Sequence, residues 1–281
     1  MGTEGDEGSN MKVILKHYVS GSAQETDMLL TAATIKLKAS PDSNAVVVKN
    51  LFLSRDPYML FKMTGHKREF FDPYALGPPI TGYGVAKVLD SAHPDFAKDD
   101  LVWGITGWEE YSLISDTKDL FKIRHTDVPL SYYAGILACG AIGLLMGQFA
   151  KFHGSHVVGS VGGPEEVPFT RKDTGCRPTK SETRGRIMIC GMNCQYHLEH
   201  HRGIRNLPSM VMKDDEMQGY LAVNYYHLYP KYMETILPLI KESKVVYEED
   251  ISDGLETAPK ALVGVFIGRN MGKQVVAVNC L

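Results

Sequence analysis

A chain of 281 residues with 44% hydrophobic and 22% charged residues is long enough to bury a sizeable core, and it reads more naturally as two lobes than as one or three. Its formal net charge of -3 offers no general attraction to nucleic acid or to an anionic membrane, so any partner has to be argued from a site. Five cysteines scattered over the chain are the pattern of reduced intracellular thiols rather than of a disulfide framework, which points to the cytoplasm.

The first ten residues, MGTEGDEGSN, are acidic and glycine-rich, with no apolar run. They are expected to form a disordered tail ahead of Met11 and not a secretory or transit peptide. Up to residue 130, short β-branched runs alternate with turn signals, as in Met11 to Lys16, Ala45 to Ser54, Val85 to Leu89 and Leu101 to Ile105. This predicts a mostly antiparallel β-lobe. Between Gly77 and Gly84, GPPITGYG is dense in turn residues and excludes regular helix.

The texture changes from Tyr133. An apolar run leads into Gly140-Ala141-Ile142-Gly143, a helical stretch ends near His153, and a second apolar run covers His156 to Ser160. That order predicts strand, glycine turn, helix, strand. The glycines would let the backbone approach a pyrophosphate at a helix N-terminus, although a glycine-spaced turn in an apolar helix is the plainer alternative. The uncharged stretch Tyr132 to Phe149 is broken by four glycines and Gln148, and a membrane-spanning helix needs about twenty predominantly apolar residues, so no membrane span is expected. Gly162 to Arg186 is polar and reads as a long loop.

Arg186 to Cys190 (RIMIC) reads as a short buried strand. Pro230 is placed to open a helix whose apolar face carries Tyr232, Met233, Ile236, Leu237 and Ile240, with Pro238 a kink point. Val245 to Tyr247 and Gln274 to Val278 read as strands returning to the β-lobe, and Pro259 to Ile267 as a helix stopped by Gly268.

Eight strings occur in order: SRDPYML from Ser54, PPITGYGVAKVLDS from Pro78, LVWGITGWEEYS from Leu101, DVPLSYYAGIL from Asp127, GQFAKFHGSHVVGS from Gly147, GRIMICGMNCQY from Gly185, NYYHLYPKY from Asn224 and GRNMGKQVV from Gly268. Together they resemble the plant NADP-dependent alkenal double-bond reductases, relatives of the leukotriene and prostaglandin reductases in the zinc-free branch of the medium-chain dehydrogenase/reductase superfamily. The resemblance implies an α/β fold. A GroES-like antiparallel β-lobe would cover residues 11–130 and 232–281, and a truncated, Rossmann-like doubly wound domain would cover 131–231.

It also implies an activity, NADPH-dependent reduction of the carbon-carbon double bond of enals or enones. Hydride goes to the β-carbon and negative charge gathers on the carbonyl oxygen, which must be met by a preorganised donor. By matching strings, that catalytic donor is Tyr196 of CGMNCQY. Tyr58 and Tyr83 would line the substrate pocket as flat walls with polar tips. Gly140, Ala141, Ile142 and Gly143 would lie at the pyrophosphate, Cys190, Gly191, Tyr220, Leu221 and Ala222 along the nicotinamide half of the cofactor, Tyr196 would also contact the cofactor, and Asn270 would bond to it from the returning C-terminal segment. A homodimer is implied.

No metal is implied. Zinc-dependent relatives carry Gly-His-Glu where this chain reads Gly82-Tyr83-Gly84, and the one metal-like string, His197-Leu-Glu-His200-His201, reads as an exposed charged loop.

The chain departs from the family at two places. After Gly135-Ile-Leu137 it jumps to Cys139-Gly140, so the first strand of the dinucleotide fold is lost or improvised from Ile136 to Cys139. Within Gly162 to Arg184, further helices and strands are replaced by the polar stretch, and Pro164 stands where relatives have the lysine for the 2'-phosphate, which weakens the NADPH preference. Leu60 also replaces an arginine common at the end of the DPYM string. These departures keep two alternatives open: an inactive relative acting as a binding protein or arising from an altered transcript, and a quinone oxidoreductase on the same fold.

Overall fold

The computed structural model describes residues 7–68, 71–137, 142–157, 183–191, 196 and 207–279. The chain divides into two compact units, Met1–Gly140 with Glu248–Leu281, and Ala141–Tyr247.

In the first unit, strands β1 (Glu7–Leu15) and β2 (Met28–Lys36) form an antiparallel pair in register from Glu7 opposite Lys36 to Leu15 opposite Met28. The strand therefore starts four residues before Met11, which shortens the expected tail. The reason is a side chain: Asn10 is buried, donates to the Glu109 carboxylate at 2.9 Å and to the Tyr111 carbonyl at 2.9 Å, and accepts from the Tyr111 amide at 3.0 Å. A polar, glycine-rich sequence is anchored there by an amide with three partners.

There follow β3 (Val46–Ser54), helix α1 (Met59–Met63), β4 (Thr81–Ser91), β5 (Leu101–Gly107), β6 (Tyr111–Ile114) and β7 (Leu120–Lys122). Gly82 and Gly84, expected in a turn, lie inside β4. A Cβ on Gly84 would come within 2.5 Å of Thr106 Oγ1 and 3.0 Å of the Phe52 carbonyl, so the residue serves close strand approach.

The second unit contains helix α2 (Ile142–Phe152), strand β8 (Arg186–Ile189), helix α3 (Pro208–Lys213), strand β9 (Glu216–Gly219) and helix α4 (Tyr229–Lys241). Pro230 does sit in the first turn of α4, Pro238 lies inside it, and Met233, Ile236 and Leu237 are buried. The sequence placed a boundary at residue 232, whereas α4 groups with this unit and packs on the 3-10 segment Ala222–Leu228 before it.

The chain then returns to the first unit as β10 (Glu249–Asp253), helix α5 (Ala258–Phe266) and β11 (Lys273–Ala277), with Gly268 at φ 68° just past α5. The main sheet has seven strands, in the order β10-β11-β3-β4-β5-β7 with β6 also on β3; β10 and β11 are parallel and the other pairs antiparallel. One core cluster on this sheet, Val46, Val48, Ala86, Val88, Val102, Ile114 and Leu120, is drawn from β3 to β7 by strand alternation. Inside this unit, before the chain leaves it and after it returns, Ser131 Oγ donates to Glu249 Oε2 at 2.7 Å.

Three strand expectations need correction. Val245 to Tyr247 is not a strand: Gln148 of α2 donates its amide to the Val246 carbonyl at 2.9 Å and accepts from the Val246 amide at 2.7 Å. One side chain meets both backbone groups that a strand neighbour would otherwise satisfy. RIMIC does form β8, but its residues are mostly exposed, with Ile187 at 41% and Met188 at 45%. Among the described residues β8 pairs only with β9, in a two-stranded sheet. His156 and Val157 are not in a strand; most of the Gly162 to Arg186 stretch, and the His197 to His201 string, lie outside the described residues.

Candidate active site

The substrate-facing candidates come together in the first unit. Tyr58 stands at the N-terminal end of α1, where the turn before it is closed by the Met59 amide bonding to the Asp56 carbonyl at 3.1 Å. Tyr83 comes from β4. Their rings meet edge to face at 6.4 Å, Phe71 stacks on Tyr58 at 5.4 Å, and Tyr83 continues to Trp103 at 6.5 Å and, through it, to Phe121 at 4.7 Å. Both tyrosines are half-buried, which leaves an aromatic wall of the kind that suits a flat conjugated molecule.

Behind this wall lies a charged layer that sequence reasoning missed. Arg55 is 1% exposed and stacks on Trp108 with its guanidinium carbon 3.5 Å from the ring centroid, while Nη1 donates to the Ser54 carbonyl at 3.0 Å. Asp56 accepts from Lys273 Nζ at 2.5 Å and from Ser54 Oγ at 2.5 Å, and Lys273 also donates to the Arg55 carbonyl at 3.0 Å. Burial lowers the pKa of Arg55 to about 9, against the opposing pull of Asp56. Burial likewise pushes the Tyr74 phenol up, with Asp56 adding to the shift, and Tyr74 donates to the Thr81 carbonyl at 2.6 Å. The only sequence signal was that Arg55, Asp56 and Lys273 fall inside quoted strings.

A second polar cluster holds the loop that carries Trp108. Asn50, fully buried, donates to the carbonyls of Gly107 (3.2 Å) and Glu109 (2.8 Å) and to Ser112 Oγ (2.9 Å), and Ser112 donates to Glu109 at 2.8 Å. Burial raises the Glu109 carboxyl pKa, opposed by the hydrogen bonds from Ser112 and Asn10. The folded state thus holds this proton more tightly than the unfolded chain, and stability associated with Glu109 falls as pH rises from the unfolded carboxyl pKa through the raised folded one. In denaturant titrations, the stability of Glu109→Gln relative to wild type should climb across that window and then level; a difference that is flat with pH would contradict this assignment.

In the second unit, β8 and β9 are parallel, with Arg186 opposite Glu216 and Ile189 opposite Gly219, so their carboxyl ends lie together. Cys190 and Gly191 follow β8; Tyr220, Leu221 and Ala222 follow β9, and the Tyr220 amide bonds to the Ile189 carbonyl at 2.8 Å. Cys190 and Gly191 are exposed and Tyr220 to Ala222 half-buried, an accessible backbone platform at the strand ends where α/β sheets take their ligands. This fits the nicotinamide side of a dinucleotide. Tyr196 is half-buried in this unit. Ile142 and Gly143 open α2, whereas Gly140, Ala141 and Pro164 lie outside the described residues. Asn270, in the first unit, donates to the Gly272 carbonyl at 2.7 Å, which orients its amide. Among the described residues no three of His, Cys, Asp and Glu are grouped to hold a metal ion, and no helix is long and apolar enough to cross a membrane.

An antiparallel lobe whose last strands come from the returning segment, with a parallel pair inserted in sequence between, is the organisation expected of a medium-chain oxidoreductase. Residues 11–123 match the family model described as the N-terminal domain of oxidoreductase. The structure of CurA from Vibrio vulnificus in complex with NADPH superposes with a TM-score of 0.81 at 23% identity, covering 96% of this chain and 100% of that one. Within that class, the chain is 44% identical to the NADP(+)-dependent 2-alkenal reductase of Nicotiana tabacum over 98% of its length and 99% of the relative's, and 40% identical to the (+)-pulegone reductase of Mentha piperita over 96% and 98%. The chain belongs to this plant alkenal double-bond reductase family of the medium-chain reductases. The tobacco alignment runs over 339 positions against a chain of 281 residues, so dozens of positions in that relative have no counterpart here.

Proposed function

We propose that this chain reduces the carbon-carbon double bond of α,β-unsaturated aldehydes or ketones with NADPH. The observation that carries the reading is the 44% identity to the tobacco 2-alkenal reductase over nearly the whole chain. Bound NADPH would supply a hydride to the β-carbon. The first unit is the substrate lobe; Cys190, Gly191 and Tyr220 to Ala222 would hold the nicotinamide half of the cofactor, Gly140 to Gly143 would meet its pyrophosphate, and Asn270 would bond to it. Tyr58 and Tyr83 hold the conjugated system flat. The Tyr196 phenol donates a hydrogen bond to the charge that develops on the carbonyl oxygen, so the reaction runs without zinc. The setting is cytoplasmic and the assembly a homodimer.

The positions absent relative to the tobacco enzyme favour one second reading, a family member with impaired cofactor binding. Titration with NADPH, followed by energy transfer from protein fluorescence or by thermal shift, separates the two. Saturable binding followed by enone-dependent loss of cofactor absorbance is expected, and no saturation up to millimolar NADPH would overturn the enzyme reading. Tyr196→Phe should lower kcat by about 10²-fold, the scale for removing one preorganised donor; an unchanged rate would remove Tyr196 from the mechanism.

A further inference from the structure

Asp56 and Lys273 are 217 residues apart, yet they form a close ion pair with side chains 8% and 6% exposed. A buried pair of this kind is poor evidence for stability, because desolvation of the two charges offsets their attraction; its better-attested use is to fix one arrangement over others. Its position shows which arrangement. The Asp56 carboxylate is held from both sides, by Ser54 Oγ and by the Lys273 ammonium, and the Asp56 carbonyl closes the turn whose next residues are Pro57 and Tyr58. The same ammonium bonds to the Arg55 carbonyl, and the Arg55 amide bonds to the Gln274 carbonyl at 3.2 Å, so the segment before Tyr58 is tied at three points to the first residues of β11. At its own end, Lys273 is pinned by its amide to the Glu248 carbonyl at 2.9 Å, three residues after Asn270.

We propose that the Asp56–Lys273 pair is a positioning element that sets the Tyr58 ring against Tyr83 and locks the substrate wall to the first residues of β11. This rests on the double-bond reductase reading for its consequence in catalysis, but not for its structural content. Both side chains are buried, and both act through Tyr58. The charges act through geometry and not net stability, so removing both at once should leave the fold intact while releasing the ring.

The test uses the full chain with 3-fluorotyrosine incorporated at position 58, in wild type, in the double variant Asp56→Asn with Lys273→Met, and in Lys273→Arg. Wild type should give one fluorine resonance, displaced from that of free fluorotyrosine by the neighbouring rings. The double variant, folded by circular dichroism, should move at least half way towards the free value or broaden, and Lys273→Arg should restore most of the displacement. In turnover assays with cinnamaldehyde as probe, the double variant should raise KM at least fivefold, with NADPH affinity changed less than twofold. An unmoved resonance in the folded double variant, or a KM change matched by an equal loss of NADPH affinity, would overturn the proposal. If no enone is turned over by wild type, the reductase reading fails, and the fluorine resonance alone decides whether the pair positions Tyr58. If the double variant does not fold, the pair is a stability element and the proposal is also overturned.

Discussion

Gly104→Ala is expected to destabilise the first unit by roughly 3 kcal/mol, the upper end of what overpacking a well-packed interior costs. Gly104 lies in β5 opposite Leu120 of β7, and a Cβ added there would sit 2.0 Å from the Asp119 carbonyl oxygen and 3.0 Å from the Leu120 Cα. Both obstacles are backbone, so no side-chain rotation relieves the clash. The strands would have to separate where Ile105 bonds to the same Asp119 carbonyl at 3.3 Å, beside the buried Trp103 of the aromatic wall. At about 2–4 °C per kcal/mol for a unit of this size, the thermal midpoint should fall by roughly 10 °C, measured by differential scanning calorimetry. A midpoint within a degree or two of wild type would show that β7 yields easily.

The second large effect concerns the contrast between the two units. Native-state hydrogen exchange should find the amides of β3 and β4 protected roughly a thousand-fold more than those of β8 and β9, about 4 kcal/mol at 1.4 kcal/mol per factor of ten. The strands β3 and β4 are buried inside a seven-stranded sheet, whereas among the described residues β8 and β9 form a two-stranded sheet with exposed side chains, and α3 has no buried residue. Two strands alone are marginal in water. Saturating NADPH should narrow the gap, because a ligand at a hundred times its Kd stabilises the state it binds by about 2.7 kcal/mol. Equal protection of β8 and β3 in the ligand-free protein would refute this ranking.

The lobe was legible in the sequence where periodicity carried information. The run Ala45 to Ser54, the apolar face of Met233, Ile236 and Leu237, and the helix before Gly268 are features of local composition, and the structure reproduces them. What escaped depends on tertiary pairing. Nothing local marks Gln148 as the partner of Val246, so a β-branched run near Val245 reads as a strand. Likewise RIMIC is apolar enough to be read as buried, and only its neighbours decide whether it is. The site divides in the same way. Tyr58, Tyr83 and Tyr196 were reached through the resemblance of whole strings, whereas the Asp56–Lys273 pair joins two of those strings across the fold and has no signature in either one.

The hydrogen bond between Ser131 and Glu249 bears on how a member of this family tolerates a shortened middle. It fastens the two strands of chain at the neck, just before the polypeptide departs for the second unit and just after it comes back. To the lobe, everything between is a tethered loop, and the entropy of closing a loop grows only as the logarithm of its length, about 0.6 kcal/mol per doubling. Excising dozens of residues from that loop barely changes the cost of bringing β10 and β11 home. The lobe and its aromatic wall can therefore persist unaltered while the inserted half is free to shrink, and natural variation in this lineage should fall on the loop side of the neck.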